Sequence, residues 1–340
     1  MIENADGFYL SPNSEEIRQV HALQLELLLE TDRICRRHDI NYYLLFGSLL
    51  GAVRHGGFIP WDDDMDIGLL RPDYDRLLTI LETELDGTRY VLQTAENDAG
   101  LSIPYAKIRC RHTAFIEKAA LPSAEFHQGV FIDLFPLDRV PDDHKAQNRL
   151  KQRYLLTHFA LRYKLDHYRS ERWWVNLIYR MAALSDIPSL LTKRRNVMTS
   201  CRNDQSGRVI AFPASRADYD TSFLFRAELD PPSELDFCGY RLMAPAAADV
   251  QLRSLFGDYM HLPPESERHG HLLRAFDIDT RFWADVLDRH RQAVRTDSMG
   301  LFSGVLEVQG GSGSSAVETG PEVMSQPDGL SDAAETENGL

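Results

Sequence analysis

Apolar residues recur at helical spacing through Val20, Leu23, Leu27 and Ile34, a period that predicts a first helix of about 25 residues. Asn13 with Glu16 reads as its capping box and His38-Asp39 as its stop, while residues 1–12 carry no periodic signal. The pattern then changes. INYYLLF, Ile40 to Phe46, is an apolar run of strand length that Gly47-Ser48 ends. Leu49 to Arg54 can open a helix whose N-terminus lies at Ser48, and its free backbone N–H groups suit a phosphate. A basic, Gly-rich loop follows, and then a second strand that begins with Asp62, Asp63, Asp64 and Asp66.

Further along, Arg71-Pro72-Asp73 starts a helix reaching about Leu85, with Pro72 in the first turn. Strands are expected at Tyr90 to Thr94, Ile103 to Cys110, Thr113 to Glu117 and Gly129 to Phe135. From Asp142 to about Asn203 the pattern is helical. There Trp173, Trp174, Leu177, Ile178 and Met181 make an apolar stripe flanked by Arg169, Arg172 and Arg180. The plain reading of this stripe is core beneath a solvated basic face; the alternative is a surface for an anionic partner, including a membrane. Short strands are expected at Arg208 to Phe212 and Cys238 to Met243, and helices at Ala246 to Phe256 and about Thr280 to Val294. Between those helices, Gly257 to His271 is a turn and Pro-rich loop carrying Arg268, His269 and His271.

Four acids within five residues need a cation or open water. Two unit charges about 5 Å apart repel by about 3 kcal/mol at an effective dielectric near 20. In an extended strand residues two apart share a face, so Asp64 and Asp66 can converge while Met65 and Ile67 face the core, and Asp63 is expected to face away. Asp133 interrupts the apolar strand GVFIDLF. It is either an edge residue facing solvent or a third carboxylate beside Asp64 and Asp66.

Charge narrows the partners. The 340-residue chain carries −14, but His144 to Asn203 holds thirteen Lys or Arg against Asp166, Glu171 and Asp186, a local balance of +10, leaving −24 elsewhere. That balance gives no general footprint for nucleic acid. Gln309 to Leu340 has six acids, no Lys or Arg and repeated Gly and Ser, so 301–340 is expected to be a disordered acidic tail. Cys35, Cys110, Cys201 and Cys238 lack metal-site spacing and read as reduced thiols. With no leader and no membrane-length apolar run, a cytoplasmic protein is expected, with peripheral membrane contact through 144–203 left open.

Gly-Ser after a strand, Asp-x-Asp on the next strand and a lone Asp in a later strand make the layout of a nucleotidyltransferase fold. FGSLLGAVRHGGFIPWDDDMDIGL resembles, nearly position for position, the signature of the LicD family of phosphotransferases, which includes bacterial phosphocholine transferases, fukutin and fukutin-related protein. KIRCRHTAFIE, HQGVFIDLFPLD and FGDYMHLPPESERHGH extend the resemblance. It implies an α/β fold with a nucleotidyltransferase-like mixed sheet, flanking helices and a helical insertion, spanning 13–300 with the basic helical region at 142–203. It also implies transfer of a phospho-alcohol, typically phosphocholine from CDP-choline, to a cell-surface glycan or its lipid-linked precursor, releasing CMP. By matching position, Asp64, Asp66 and Asp133 would bind Mg²⁺ or Mn²⁺, with Asp62 a further ligand and Asp133 the base for the acceptor hydroxyl. Gly47 and Ser48 would cradle phosphate; Arg54, Lys107 and Arg109 would neutralise it; Arg268 or His271 would touch substrate.

Plainer readings stand beside these. Arg54 with His55 could solvate a loop, Lys107 and Arg109 could form cross-strand ion pairs, and His269 and His271 could be surface residues. Candidates for an aromatic cage around choline are Tyr42, Tyr43, Trp61, Phe131 and Phe135. A metal-dependent glycosyltransferase would also use Asp-x-Asp, but gives Gly47-Ser48 and Asp133 no role. A calcium loop fits poorly, because Gly68 falls one place late and Asp73 stands where Glu is expected. A family member that only binds its ligand is disfavoured by the presence of all three acids.

Overall fold

The computed structural model describes residues 2–4, 7–98, 100–118, 127–201, 206–215, 219 and 222–297. The expected acidic tail, 301–340, lies outside the described residues. In chain order the elements are β1 Ile2–Asn4, β2 Gly7–Tyr9, α1 Glu15–Arg37, β3 Tyr43–Leu44, α2 Phe46–His55, β4 Asp66–Leu70, α3 Arg71–Glu84, β5 Tyr90–Gln93, β6 Ala106–Cys110, β7 Thr113–Glu117 and β8 Phe131–Arg139. They continue with α4 His144–Leu165, α5 Trp173–Ala182, α6 Ile187–Met198, β9 Arg208–Ala211, β10 Phe223–Phe225, α7 Arg226–Leu229, β11 Ser233–Phe237, β12 Tyr240–Ala244, α8 Ala248–Phe256, β13 Leu273–Ile278 and α9 Ala284–Asp297.

A seven-stranded mixed sheet organises the first unit, Met1–Val294. Its path runs β10-β9-β8-β4-β3, and β6, with β5 beyond it, also pairs β8. Only β4 and β8 are parallel; the other pairings in this sheet are antiparallel. Strand β8 meets β6 through Leu134 and β9 from Leu137 onward. Pro136, with no N–H to donate, falls where one partner gives way to the other. The result is a curled, partly open sheet flanked by helices, the fold class the sequence implied. A second, four-stranded sheet runs β1-β2-β13-β7, and β11-β12 form a hairpin. Its two loop residues, Cys238 and Gly239, both have positive φ, as the tightest hairpin turns require.

Helix α1 packs its apolar stripe, including Val20, Leu23, Leu27 and Ile34, into the core over β6 and β8. Its cap is Ser14, whose hydroxyl accepts the Ile17 N–H, one residue later than the Asn13 box predicted. Asn13 adopts left-handed backbone at φ 58° instead, a conformation Asn tolerates and Ser seldom does. The apolar run Ile40 to Phe46 contributes only two residues to the sheet, because Leu45 already caps α2 and Phe46 is its first residue. Residues 1–12, without periodic signal, contain two short strands that pair with each other, and β2 also joins β13, far away in sequence, where Phe8 meets Leu273.

The basic region is a helical insertion with its own small core of Tyr154, Phe159, Tyr179, Val197 and Phe212. The stripe of α5 is not part of it: Trp173, Leu177, Ile178 and Met181 are exposed, and Tyr179 and Val175 on the opposite side do the packing. Among the described residues no helix is long and apolar enough to cross a membrane.

Candidate functional site

Parallel pairing of β4 and β8 sets Asp66 directly beside Asp133 in register. On the other edge of β8, Lys107 of β6 is registered against the same Asp133. The ammonium lies 2.7 Å from Asp133 Oδ1, with both side chains over nine-tenths buried, and it also sits 3.4 Å from the centre of the Phe131 ring. Asp133 is therefore no edge residue facing solvent. Burial pushes its carboxyl up and Lys107 pulls it back. The cross-strand pairing foreseen for Lys107 is present. Arg109, one strand position pair further along, is turned elsewhere, onto the Gln93 side chain and the Gly129 carbonyl 2.7 Å away.

The other acids precede the strand. Only Asp66 lies in β4, and residues 62–65 form an approach segment. Two side chains one turn apart on α1 grip its backbone: His21 bonds the Asp62 carbonyl at 2.7 Å and Gln24 donates to the Asp63 carbonyl at 2.6 Å. Burial holds the His21 imidazole down at about 4, so it stays neutral and acts as a donor to that carbonyl. Sequence reading gave neither residue a role, since each looked like one more position on a buried helix face. Met65 and Ile67 are buried as expected.

Gly47 and Ser48 lie in the first turn of α2, and both address the acidic segment. A Cβ on Gly47 would stand 2.5 Å from an Asp62 carboxylate oxygen, so a larger residue would displace that carboxylate. The Ser48 hydroxyl accepts the Asp66 N–H at 2.7 Å and pins the start of β4.

Asp63 does not face away. It is buried, and its carboxylate accepts the backbone N–H of His271 at 2.9 Å and meets the imidazole Nδ1 at 2.9 Å. The same Nδ1 lies 3.4 Å from Asp64. Residue 270 must be glycine here, since a Cβ would fall 2.4 Å from the Asp63 carboxyl carbon. Asp63, Asp64 and His271 place one ligand atom each within 4.8 Å of one another. The 208-residue separation between Asp63 and His271 hid this pair from sequence reasoning; the motif ESERHGH was the available signal, and Gly270 its structural reason.

Electrostatically the cluster is short of positive charge. Asp62 is pushed up to about 6, first by burial and then by Asp63. Asp64 and Asp66 stand well above the carboxylate range, chiefly through burial; Asp66 is raised next by Asp133, and Asp64, despite the pull of His271, by Asp66. His271 is pushed up to about 11 by Asp64 and by its bond to Asp63. Asp64 still keeps 27% of its side chain exposed, so the cluster opens to solvent.

At the rim, Arg54 donates to the Tyr259 carbonyl at 2.8 Å and Arg268 to the Pro263 carbonyl at 2.8 Å, each holding the Pro-rich loop. Arg268 also lies over the Trp61 ring, 5.4 Å from its centre. Burial lowers the Arg54 guanidinium, and the charge of Arg268 lowers it further. His269 is exposed and contacts the Tyr9 ring. Of the aromatic candidates, Tyr42 is bonded to Asp32 and Tyr43 to Asp230, while Phe131 lies under Lys107. Phe135 instead joins Phe46 and Tyr105, with ring centres 5.5 Å and 4.3 Å away. The Tyr105 hydroxyl is pushed far up by burial and then by Asp133 and Glu117, and its ring centre lies 5.6 Å from the Lys107 ammonium that pairs Asp133.

Comparison with known proteins agrees with this frame. The family model for the LicD/FKTN/FKRP nucleotidyltransferase domain matches residues 39–158, from before β3 into α4. The lipopolysaccharide cholinephosphotransferase LicD of Haemophilus influenzae is 26% identical over 268 residues, covering 75% of this chain and 95% of that protein. Residues 39–158 thus match the LicD/FKTN/FKRP nucleotidyltransferase domain, and similarity to a LicD protein extends over three quarters of the chain. Human ribitol 5-phosphate transferase FKRP is 45% identical over 53 residues, 14% of this chain and 11% of that protein. An uncharacterised protein of Rickettsia prowazekii is 38% identical over 79 residues, 22% of this chain and 30% of its own length. Within this LicD-family frame the Asp/Asp/His cluster is a candidate divalent-metal centre.

The donor chemistry fits such an ion. Asp62, Asp64 and Asp66 are held above their usual range first by burial and then by neighbouring carboxylates, and a divalent cation would offset both. Carboxylate oxygens suit Mg²⁺ or Mn²⁺, and an imidazole in the set favours the softer of the two.

Proposed function

We propose that the protein transfers a phospho-alcohol, in the first place phosphocholine from CDP-choline, to a hydroxyl of a glycan or its lipid-linked precursor, releasing CMP. The observation carrying this reading is the register that sets Asp66 beside Asp133, next to the segment of Asp62 and Asp64. Family-level similarity supports a nucleotide-linked donor and a glycan acceptor, and the name of the Haemophilus relative supplies the choline.

In this reading Asp64, Asp66 and Asp133 hold the metal, with Asp62, Asp63 and His271 completing or bracing the set. When bound, the ion neutralises the diphosphate and orients it for in-line attack. The side chains of the chain do the rest. Asp133 takes the proton of the acceptor hydroxyl as the hydroxyl oxygen bonds to phosphorus and the bond to CMP breaks. Lys107 fixes the direction of that carboxylate. Arg54 and Arg268, two cations repelling each other at the rim, gain by taking phosphate oxygens between them. Gly47 leaves room for Asp62, and Ser48 keeps Asp66 in place. Phe46, Tyr105 and Phe135 offer ring faces to a quaternary ammonium.

Calorimetric titration with CDP-choline, CDP-glycerol, CMP and UDP-glucose, each with and without Mg²⁺, tests the donor. Metal-dependent binding of CDP-choline, tighter than CMP, is the expected result. A preference for another CDP-alcohol changes only the alcohol, whereas binding of UDP-glucose alone replaces the reading with a glycosyltransferase.

A further inference from the structure

Helix α5 shows solvent an unusual face. Trp173 is 76% exposed, Met181 60%, Leu177 50% and Ile178 46%, and Leu184, just past the helix end, is 75% exposed. At 100° per residue, Trp173, Leu177, Met181 and Ile178 fall on one continuous arc, with half-buried Trp174 inside it and Arg180 at its border. The buried side of the helix is already satisfied by Tyr179 and Val175 in the core of the insertion. Large apolar residues in such a contiguous patch mark an interaction surface more than isolated exposed ones do.

Charge says what covers it. The patch sits in the segment with thirteen Lys or Arg and three acids, in a chain otherwise at −24. Around α5 the exposed bases are Lys164, Arg169 and Arg180, with Arg172 half-buried against the Trp174 ring. A second copy of this chain would set the same +10 segment against itself across a two-fold contact, whereas an anionic surface would be attracted to it. Tryptophan with Leu, Ile and Met on one face and bases at the border is the composition of a helix that lies in a bilayer interface.

We propose that α5 docks the protein on an anionic lipid bilayer, its Trp173-Leu177-Met181 face entering the headgroup boundary and the surrounding bases pairing with lipid phosphates. The proposal goes beyond the donor reading and does not depend on it, because its test involves no nucleotide.

The test is co-sedimentation of the full chain with vesicles of phosphatidylglycerol and phosphatidylcholine in equal parts, against pure phosphatidylcholine. Binding to the anionic vesicles alone, weakened by salt, is expected. The triple variant Trp173→Ser, Leu177→Ser, Met181→Ser should lower the partition coefficient at least about thirtyfold, the loss for three half-buried apolar side chains. Arg180→Glu should lower it about tenfold. These positions are exposed, so the thermal midpoint should not move. Should the triple variant fail to fold, quenching of the native protein's tryptophan fluorescence by brominated lipid supplies the same answer, with loss of the quenchable fraction in Trp173→Phe. No binding to anionic vesicles, or binding that the triple variant leaves unchanged, would overturn the proposal. So would a dimer in solution that the triple variant converts to monomer, which would assign the face to a second copy.

Discussion

Lys107→Met isolates the ion pair that orients Asp133. The two groups are 2.7 Å apart, with 7% and 8% of their side chains exposed, and the largest influence on Asp133 is the burial that Lys107 offsets. Removing the ammonium leaves a carboxylate with little access to water, a change that costs about 3–5 kcal/mol when a buried pair loses one partner. The direction with pH follows from linkage. Asp133 is already raised in the folded protein, and without Lys107 it rises further above its unfolded value. Such a group contributes stability fully below the unfolded pKa, about 3.9, and loses it as pH rises through the folded pKa. The deficit of the variant relative to the native protein should therefore be larger at about pH 8 than at about pH 5, because the carboxyl is more protonated as the pH falls. Urea unfolding at both values measures it, and Lys107→Met with Asp133→Asn should recover all but about 1 kcal/mol. A deficit under about 1 kcal/mol, or one equal at both pH values, would refute the claim that burial governs this pair.

The remaining predictions probe the cluster around it. Gly270→Ala forces a Cβ to within 2.4 Å of the Asp63 carboxyl carbon, whereas Gly87→Ala meets nothing within 4 Å. The first should destabilise by about 1–3 kcal/mol and the second by far less, read from urea midpoints. Asp66→Asn removes a carboxyl raised well above its usual range, so it should abolish turnover while stabilising the metal-free protein near neutral pH by on the order of 1 kcal/mol, with no gain in acid. Mn²⁺ at about a hundredfold its dissociation constant should add about 2.7 kcal/mol to native stability, an increment that chelator removes and Asp66→Asn lacks.

What the sequence showed and what it hid divide along contact range. The strand that opens at Asp66 and the apolar strand around Asp133 are legible because their residue patterns are local, and Ile67 is buried while Asp133 lies inside β8 beside Asp66. Asp63 was misjudged for the same reason: alternation assumes a strand, but the strand begins only at Asp66, and Asp63 answers to His271 instead. His21 and Gln24 look like any polar positions on a helix until the acidic segment is laid across them. Strands β2 and β13 are not legible in the sequence because such short, mixed-polarity segments pair across most of the chain, β13 with β2 and with β7. The α5 stripe shows the remaining gap, since periodicity finds an apolar face without saying whether protein or something else covers it.

We propose that a divalent ion held by Asp64, Asp66 and Asp133 engages a CDP-linked donor. Electron paramagnetic resonance of Mn²⁺, titrated into the protein with and without CDP-choline, tests it most directly. A bound-ion signal that CDP-choline strengthens and perturbs, lost in both Asp66→Asn and Asp133→Asn, is the expected result. Binding of CDP-choline that is indifferent to Mn²⁺, or an ion signal that survives in both variants, would contradict it.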